Sequence, residues 1–337
     1  MALIVTGLIS STANPLMKNE QMNILVFGKD GQLGKAFQKL LSANQYSDMH
    51  IQYVGREQCD LRDPIAISQL LDDAKPSLII NAAAYTAVDK AEEEPEIAFA
   101  INARAPELMA RYSVQHRATF LHYSTDYVFD GCKEGLYSEG DPRNPLSVYG
   151  KSKAAGEEAV ENIFSGAQQG QYAIFRTSWV YGDGGNFIKT ILRLAKEREV
   201  LKVIADQYGV PTNAEWLAQL SLNLVFNQDL HLRAFPSGIY HAVPAGETSW
   251  YGLAQLAVQI ASDGGLEMKV EPNAIKPIPA VEYPLPAPRP QNSRMNTAKL
   301  VKAIEQIGDM SKLQHCKRLW DDEVKTYVFK LAHDKLI

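Results

Sequence analysis

An α/β fold, a doubly wound Rossmann-like parallel sheet with a smaller C-terminal substrate-binding lobe, is predicted by three observations. Short apolar runs alternate with helical stretches from Met22 to about Thr177. The glycine turn Gly28-x-x-Gly31-x-x-Gly34 joins the first apolar run to the first helix. Beyond about Trp179 the alternation gives way to helix-like stretches separated by Gly- and Pro-rich connections.

Residues 1–21 are loosely apolar and lack a basic start, so they read as an extension, and Met22 opens the fold. Asn23–Phe27 is the first strand and Leu33–Leu41 the first helix. His50–Val54 is the second strand, followed by a helix over Ile65–Leu71. Ser77–Ala84 reads as the third strand. A long helical region runs from about Val88 to His116, broken or capped near Pro95 and Pro106. Thr119–Ser124 is a buried strand, then comes the helix carrying Tyr149 and Lys153, then the strand Tyr172–Thr177. A cofactor domain thus covers 22–178. The lobe at 179–337 interleaves with the sheet, with helices over Phe187–Lys196, Trp216–Phe226 and Trp250–Ser262 and an extended loop over Pro277–Pro290.

The 337 residues are 46% hydrophobic and 22% charged, enough for one large domain or two coupled ones. A net charge of −5 argues against nucleic acid or an anionic membrane as partner. No apolar run approaches the roughly 18 residues that span a bilayer. Cys59, Cys132 and Cys316 are widely spaced with no Cys-x-x-Cys, which fits a reduced, cytoplasmic setting.

Glycines in the first turn let the backbone approach a pyrophosphate, which sits on the helix N-terminus. Gly28, Asp30, Gly31, Gln32, Leu33 and Gly34 are therefore candidate cofactor residues. The second strand ends Tyr53-Val-Gly-Arg56, without the acid that would hold a ribose 2′-hydroxyl. Arg56 either meets a 2′-phosphate, which tilts the cofactor toward NADPH over NADH, or is an ordinary surface arginine. Asp60 and Leu61 are placed for adenine. Ala82, Ala83 and Ala84 close the third strand, where small side chains let a flat cofactor lie on the sheet. Ser124-Thr125-Asp126-Tyr127 follows the next strand at the carboxyl edge, where open α/β sheets bind ligands; alone, it is also a turn or helix cap. Tyr149 and Lys153, four residues apart, share one helix face. A cation beside a phenol pulls its pKa from about 10 toward neutrality and equips it to pass a proton.

These segments together resemble the extended short-chain dehydrogenase/reductases. Within them, Phe27–Gly34, Ala84–Glu92, Ser124–Gly131, Arg176–Gly182, Asp206–Thr212 and Arg289–Arg294 are similar, in that order, to the dTDP-4-dehydrorhamnose reductase family. The resemblance implies reduction of the C4 ketone of dTDP-4-dehydro-6-deoxy-L-mannose to dTDP-L-rhamnose, with hydride from a nicotinamide. It implies that Tyr149 protonates the C4 oxygen and Thr125 polarises the carbonyl. Lys153 would depress the Tyr149 pKa and bind the nicotinamide ribose. Asp126, Tyr127 and Trp179 would lie near the sugar, while Asn186, Phe187, Gln207 and Arg289 would face the nucleotide, Arg289 at the diphosphate. Trp179 and Phe187 also read as core packing. Some relatives carry an acid after the last glycine for a metal-linked dimer. Here Lys35-Ala36 stands there, so no metal is expected, and homodimerisation stays open. His122 and His241 read as structural strand histidines. Two alternatives are a non-catalytic NADP-binding regulatory subunit, like the beta subunit of methionine adenosyltransferase, and a nucleotide-sugar epimerase or dehydratase.

Overall fold

The structure, a computed structural model, describes residues 22–334; the extension at 1–21 lies outside them. Its central sheet has six parallel strands: β1 (Asn23–Phe27), β2 (His50–Val54), β3 (Leu78–Asn81), β4 (Thr119–Thr125), β5 (Gln171–Thr177) and β6 (Gly238–His241). They lie in the order β6-β5-β4-β3-β1-β2. The sixth strand comes from beyond residue 178 and pairs with β5 from Gly238↔Ala173 to His241↔Arg176.

Strands buried on both faces need apolar residues at successive positions, which explains the unbroken apolar runs. Ile24, Val26, Ile80 and Leu121 point to one core with α1 (Gln32–Leu41) and α6 (Ala214–Val225). Leu25, Phe27, Ile79 and Phe120 point to the other with α2 (Pro64–Ala74) and α3 (Ala105–His116). A third core, built by α5 (Phe187–Glu197), α7 (Trp250–Asp263) and α8 (Trp320–His333), underlies the lobe.

The third strand is shorter than expected. It ends at Asn81, whose side chain accepts from the Ala83 N–H at 3.3 Å and turns Ala82–Ala84 out of the sheet. Pro106 does not break its helix. It sits in the first turn of α3, after a π-helical segment over Ala100–Arg104, where its missing N–H is tolerated. The Pro277–Pro290 stretch is not wholly loop either: Lys276–Ile278 pairs with Lys202–Ile204 and a 3₁₀ turn covers Ala280–Glu282. After β2 the chain crosses β1 to enter β3, so the connections diverge at β1 and β3, and their carboxyl ends open a crevice. Among the described residues no helix is long and apolar enough to cross a membrane.

Candidate active site

The crevice is a cavity of about 690 Å³ lined by Gly28, Asp30, Gly31, Gln32, Leu33, Arg56, Asp60, Leu61, Ala82–Ala84, Tyr149 and Lys153, among others. Thirteen of the fourteen expected cofactor residues thus line one cavity. The fourteenth, Gly34, works from behind. A Cβ there would lie 2.0 Å from the Gly28 carbonyl oxygen, so glycine lets α1 pack onto the turn. Gly28 has φ +83°, and a Cβ on it would meet the Ala83 nitrogen at 2.6 Å. The turn is fastened to β2 by bonds from the Gly28 and Lys29 N–H groups to the Val54 carbonyl, at 2.8 and 3.2 Å.

These residues fit a dinucleotide. The α1 N-terminus has no side-chain cap, which leaves its N–H groups for a pyrophosphate. Gln32 Oε1 and Thr177 Oγ1 are buried without a partner, and both residues line the cavity. A volume in this range suits a cofactor-sized ligand. Asp60 is occupied differently from expectation: it accepts from the Arg62 guanidinium at 2.9 and 3.0 Å, and that contact holds its carboxyl down at about 2.

Tyr149 lies in the first turn of α4 (Val148–Phe164), capped by Ser147 accepting from the Gly150 N–H at 3.1 Å. Its phenol is buried beside Thr125 and edge-on to the Tyr127 ring at 5.4 Å. The expectation of a phenol lowered by Lys153 is corrected here. Burial drives the Tyr149 pKa up, the Thr125 hydroxyl pulls it down, and the Asp126 charge pushes it up again. The Lys153 ammonium is turned away, donating to the Tyr123 carbonyl at 2.5 Å beside His122 Nε2 at 3.4 Å. Burial brings Lys153 down to about 8, opposed by Glu157.

Asp126 is buried and accepts from Thr125 Oγ1 at 2.8 Å and from the Ser293 hydroxyl. Burial raises its carboxyl to about 6, against both bonds. Thr125 Oγ1 thus stands between the Asp126 carboxylate and the Tyr149 phenol. Ser293 leads on to Trp179: a side chain at Gly209 would strike Trp179 Cε2 at 2.7 Å and Ser293 Cβ at 3.1 Å. Trp179 is held at φ +49°, an uncommon conformation for a bulky residue, and stacks on Trp250 at 3.8 Å.

The remaining sugar-nucleotide candidates are less uniform. Arg289 Nη2 donates to Asp89 at 2.8 Å, and its charge lowers the Tyr127 pKa against burial. Gln207 is buried next to Tyr208, whose backbone is laced to Gln291 and Ser293. Phe187 packs on Trp250 at 4.6 Å. Asn186 is engaged structurally: it caps α5 by accepting from the Lys189 N–H at 3.0 Å and donates to Tyr327 at 2.8 Å.

Sequence reasoning passed over three residues here. Ser293 holds Asp126, and Glu157 and Arg176 form a buried ion pair behind Lys153 at 2.7 and 2.9 Å. Glu157 stands four residues after Lys153, a spacing that was open to reading. Ser293 carried no local signal. Among the described residues no cluster of three or more His, Cys, Asp or Glu could hold a metal ion.

The family model described as the RmlD substrate binding domain matches residues 22–319. The chain is 44% identical over 283 residues to a dTDP-4-dehydrorhamnose reductase of Escherichia coli K12, covering 82% of this chain and 90% of that protein. It is similar to the crystal structure of a dTDP-4-dehydrorhamnose reductase from Clostridium acetobutylicum, with TM-score 0.78, 32% identity, and 92% and 99% of the two chains covered. A Bacillus anthracis dTDP-4-dehydrorhamnose reductase in complex with NADP superposes with TM-score 0.76 at 31% identity, over 92% and 99%.

Proposed function

The chain belongs to the RmlD substrate binding domain family, that of the dTDP-4-dehydrorhamnose reductases, and from this membership we propose how its cleft works. The reaction is reduction of the C4 ketone of dTDP-4-dehydro-6-deoxy-L-mannose to dTDP-L-rhamnose, the last step of dTDP-rhamnose synthesis. NADPH, when bound, supplies the hydride.

The observation that carries the site assignment is a buried Tyr149 phenol that lines the glycine-turn cavity, with Thr125 beside it. A phenol held above its ordinary pKa stays protonated at neutral pH, as a general acid must. Tyr149 gives that proton to the C4 oxygen as negative charge develops on it. Thr125, between that phenol and Asp126, is placed to polarise the carbonyl. Lys153 lines the cavity and exchanges the Tyr123 carbonyl for ribose hydroxyls when the cofactor binds. Trp179 supplies an apolar face toward the sugar, and Arg289 exchanges Asp89 for the diphosphate. A reduced, cytoplasmic setting is the one that three widely spaced free cysteines support.

The test is purified protein with the ketosugar and NADPH or NADH, following absorbance of the reduced nicotinamide. Tyr149→Phe is expected to slow turnover by about 10²- to 10⁴-fold. Its NADPH affinity, measured calorimetrically, should persist. Cofactor binding with no turnover of any dTDP-ketosugar would sink the assignment.

A further inference from the structure

We propose that Asp30, a residue of the glycine turn, performs the ribose recognition that an acid at the end of β2 performs in the usual fingerprint. The assignment deepens the reading of the cavity as an NAD(P) site and rests on it. At the end of β2 stands Gly55, where that fingerprint has its acid. A Cβ built on Gly55 would lie 2.4 Å from Asp30 Oδ2 and 2.8 Å from Lys29 Cε. The carboxylate of Asp30 thus already occupies the space that a side chain at position 55 would enter. Gly55 needs no positive φ; what its missing side chain provides is room.

The backbone makes this placement durable. The Gly28 and Lys29 N–H groups are tied to the Val54 carbonyl. Gln38 Nε2 donates to the Lys29 carbonyl at 2.7 Å, and Gln58 Oε1 accepts from the Gly55 N–H at 2.9 Å. The glycine turn and the end of β2 therefore form one unit, with Asp30 carried across it. Asp30, Gly55 and Arg56 line the same end of the cavity.

A carboxylate there accepts hydrogen bonds from a 2′-hydroxyl and repels a 2′-phosphate, while the Arg56 guanidinium does the reverse. Asp30 and Arg56 thus oppose one another, and the balance sets which dinucleotide is held. Asp30 favours NADH and Arg56 favours NADPH.

Calorimetric titration of the whole protein with NADPH and with NADH tests this without turnover. In Asp30→Asn, NADH binding is expected to weaken by about tenfold or more, the loss of a charge-assisted hydrogen bond. NADPH binding should hold or tighten. The double variant Asp30→Ala with Gly55→Asp clears the space at position 55, returns an acid to the end of β2 and should regain NADH. Competition by 5′-AMP should follow NADH, and competition by adenosine carrying a 2′-phosphate should follow NADPH. Equal weakening of both dinucleotides, or no change in either, would overturn the role of Asp30. A wild-type protein that binds neither would overturn the cofactor reading itself, and the assignment with it.

Discussion

Glu157→Gln should damage the protein in two separable ways. The Glu157 carboxylate is fully buried between Arg176, at 2.7 and 2.9 Å, and Arg143, at 2.6 Å. Arg176 is also buried, lies over the Phe129 ring at 4.9 Å, and already leaves Nη1 without a partner. An amide at 157 keeps one acceptor oxygen in place of two and cannot neutralise the guanidinium. Breaking a buried pair from one side costs about 3–5 kcal/mol, because a buried charge is left uncompensated. Burial raises the Glu157 pKa, but the two arginines outweigh it and hold the pKa below its ordinary value. The contribution is therefore full above the usual glutamate range and lost as pH falls through the folded value. Denaturant unfolding at pH 7 should show a lower midpoint with an unchanged slope, and the difference from wild type should shrink in acid. The second effect is on Lys153, which Glu157 holds up against burial at about 8. Without that carboxylate the ammonium loses its proton at lower pH, so the alkaline limb of kcat/KM should move to lower pH. A stability loss under about 1 kcal/mol, or an alkaline limb that stays in place, would refute the coupling of Glu157 to both groups.

Asp126 is raised by burial to about 6, so its charged form opposes folding as pH rises through that value. Asp126→Asn should therefore gain about 1–3 kcal/mol of stability at pH 7 while lowering activity, and its kcat/KM profile should lack the ionisation near pH 6; equal stability in a thermal melt would contradict this. Gly28→Ala would force a β-carbon to 2.6 Å from the Ala83 nitrogen at φ +83°. It is expected to cost about 1–3 kcal/mol or more and to abolish calorimetric NADPH binding; retained affinity would show that the turn has more room than its geometry indicates.

Much of the framework was legible because its signals are local. Apolar runs such as Leu25–Phe27 and Leu78–Ile80 announce strands buried on both faces, and three glycines at fixed spacing announce a turn that a pyrophosphate approaches. Thr125, Asp126 and Tyr149 were legible as a group, since β4 and α4 carry them to one edge. Lys153 illustrates the limit. Four-residue spacing places it on the Tyr149 face of the helix, but its ammonium is captured by the Tyr123 carbonyl, a partner supplied by another element. Asn186 illustrates it again: its side chain closes the first turn of α5 and reaches Tyr327, 141 residues later.

The sequence by itself determined the sheet, the glycine turn and the candidate catalytic set, since each is written in spacings of a few residues. Only the tertiary structure decided the electrostatics. Ser293 reaches Asp126, Arg176 reaches Glu157, and Asp30 fills the space at Gly55 across segments far apart in the chain. Burial, which sets the sign of the Tyr149 shift, exists only once Ala91, Ala98 and Tyr127, from other parts of the chain, have packed around it. A pKa depends on the dielectric and the charges around a group, and neither is a property of its neighbours in sequence.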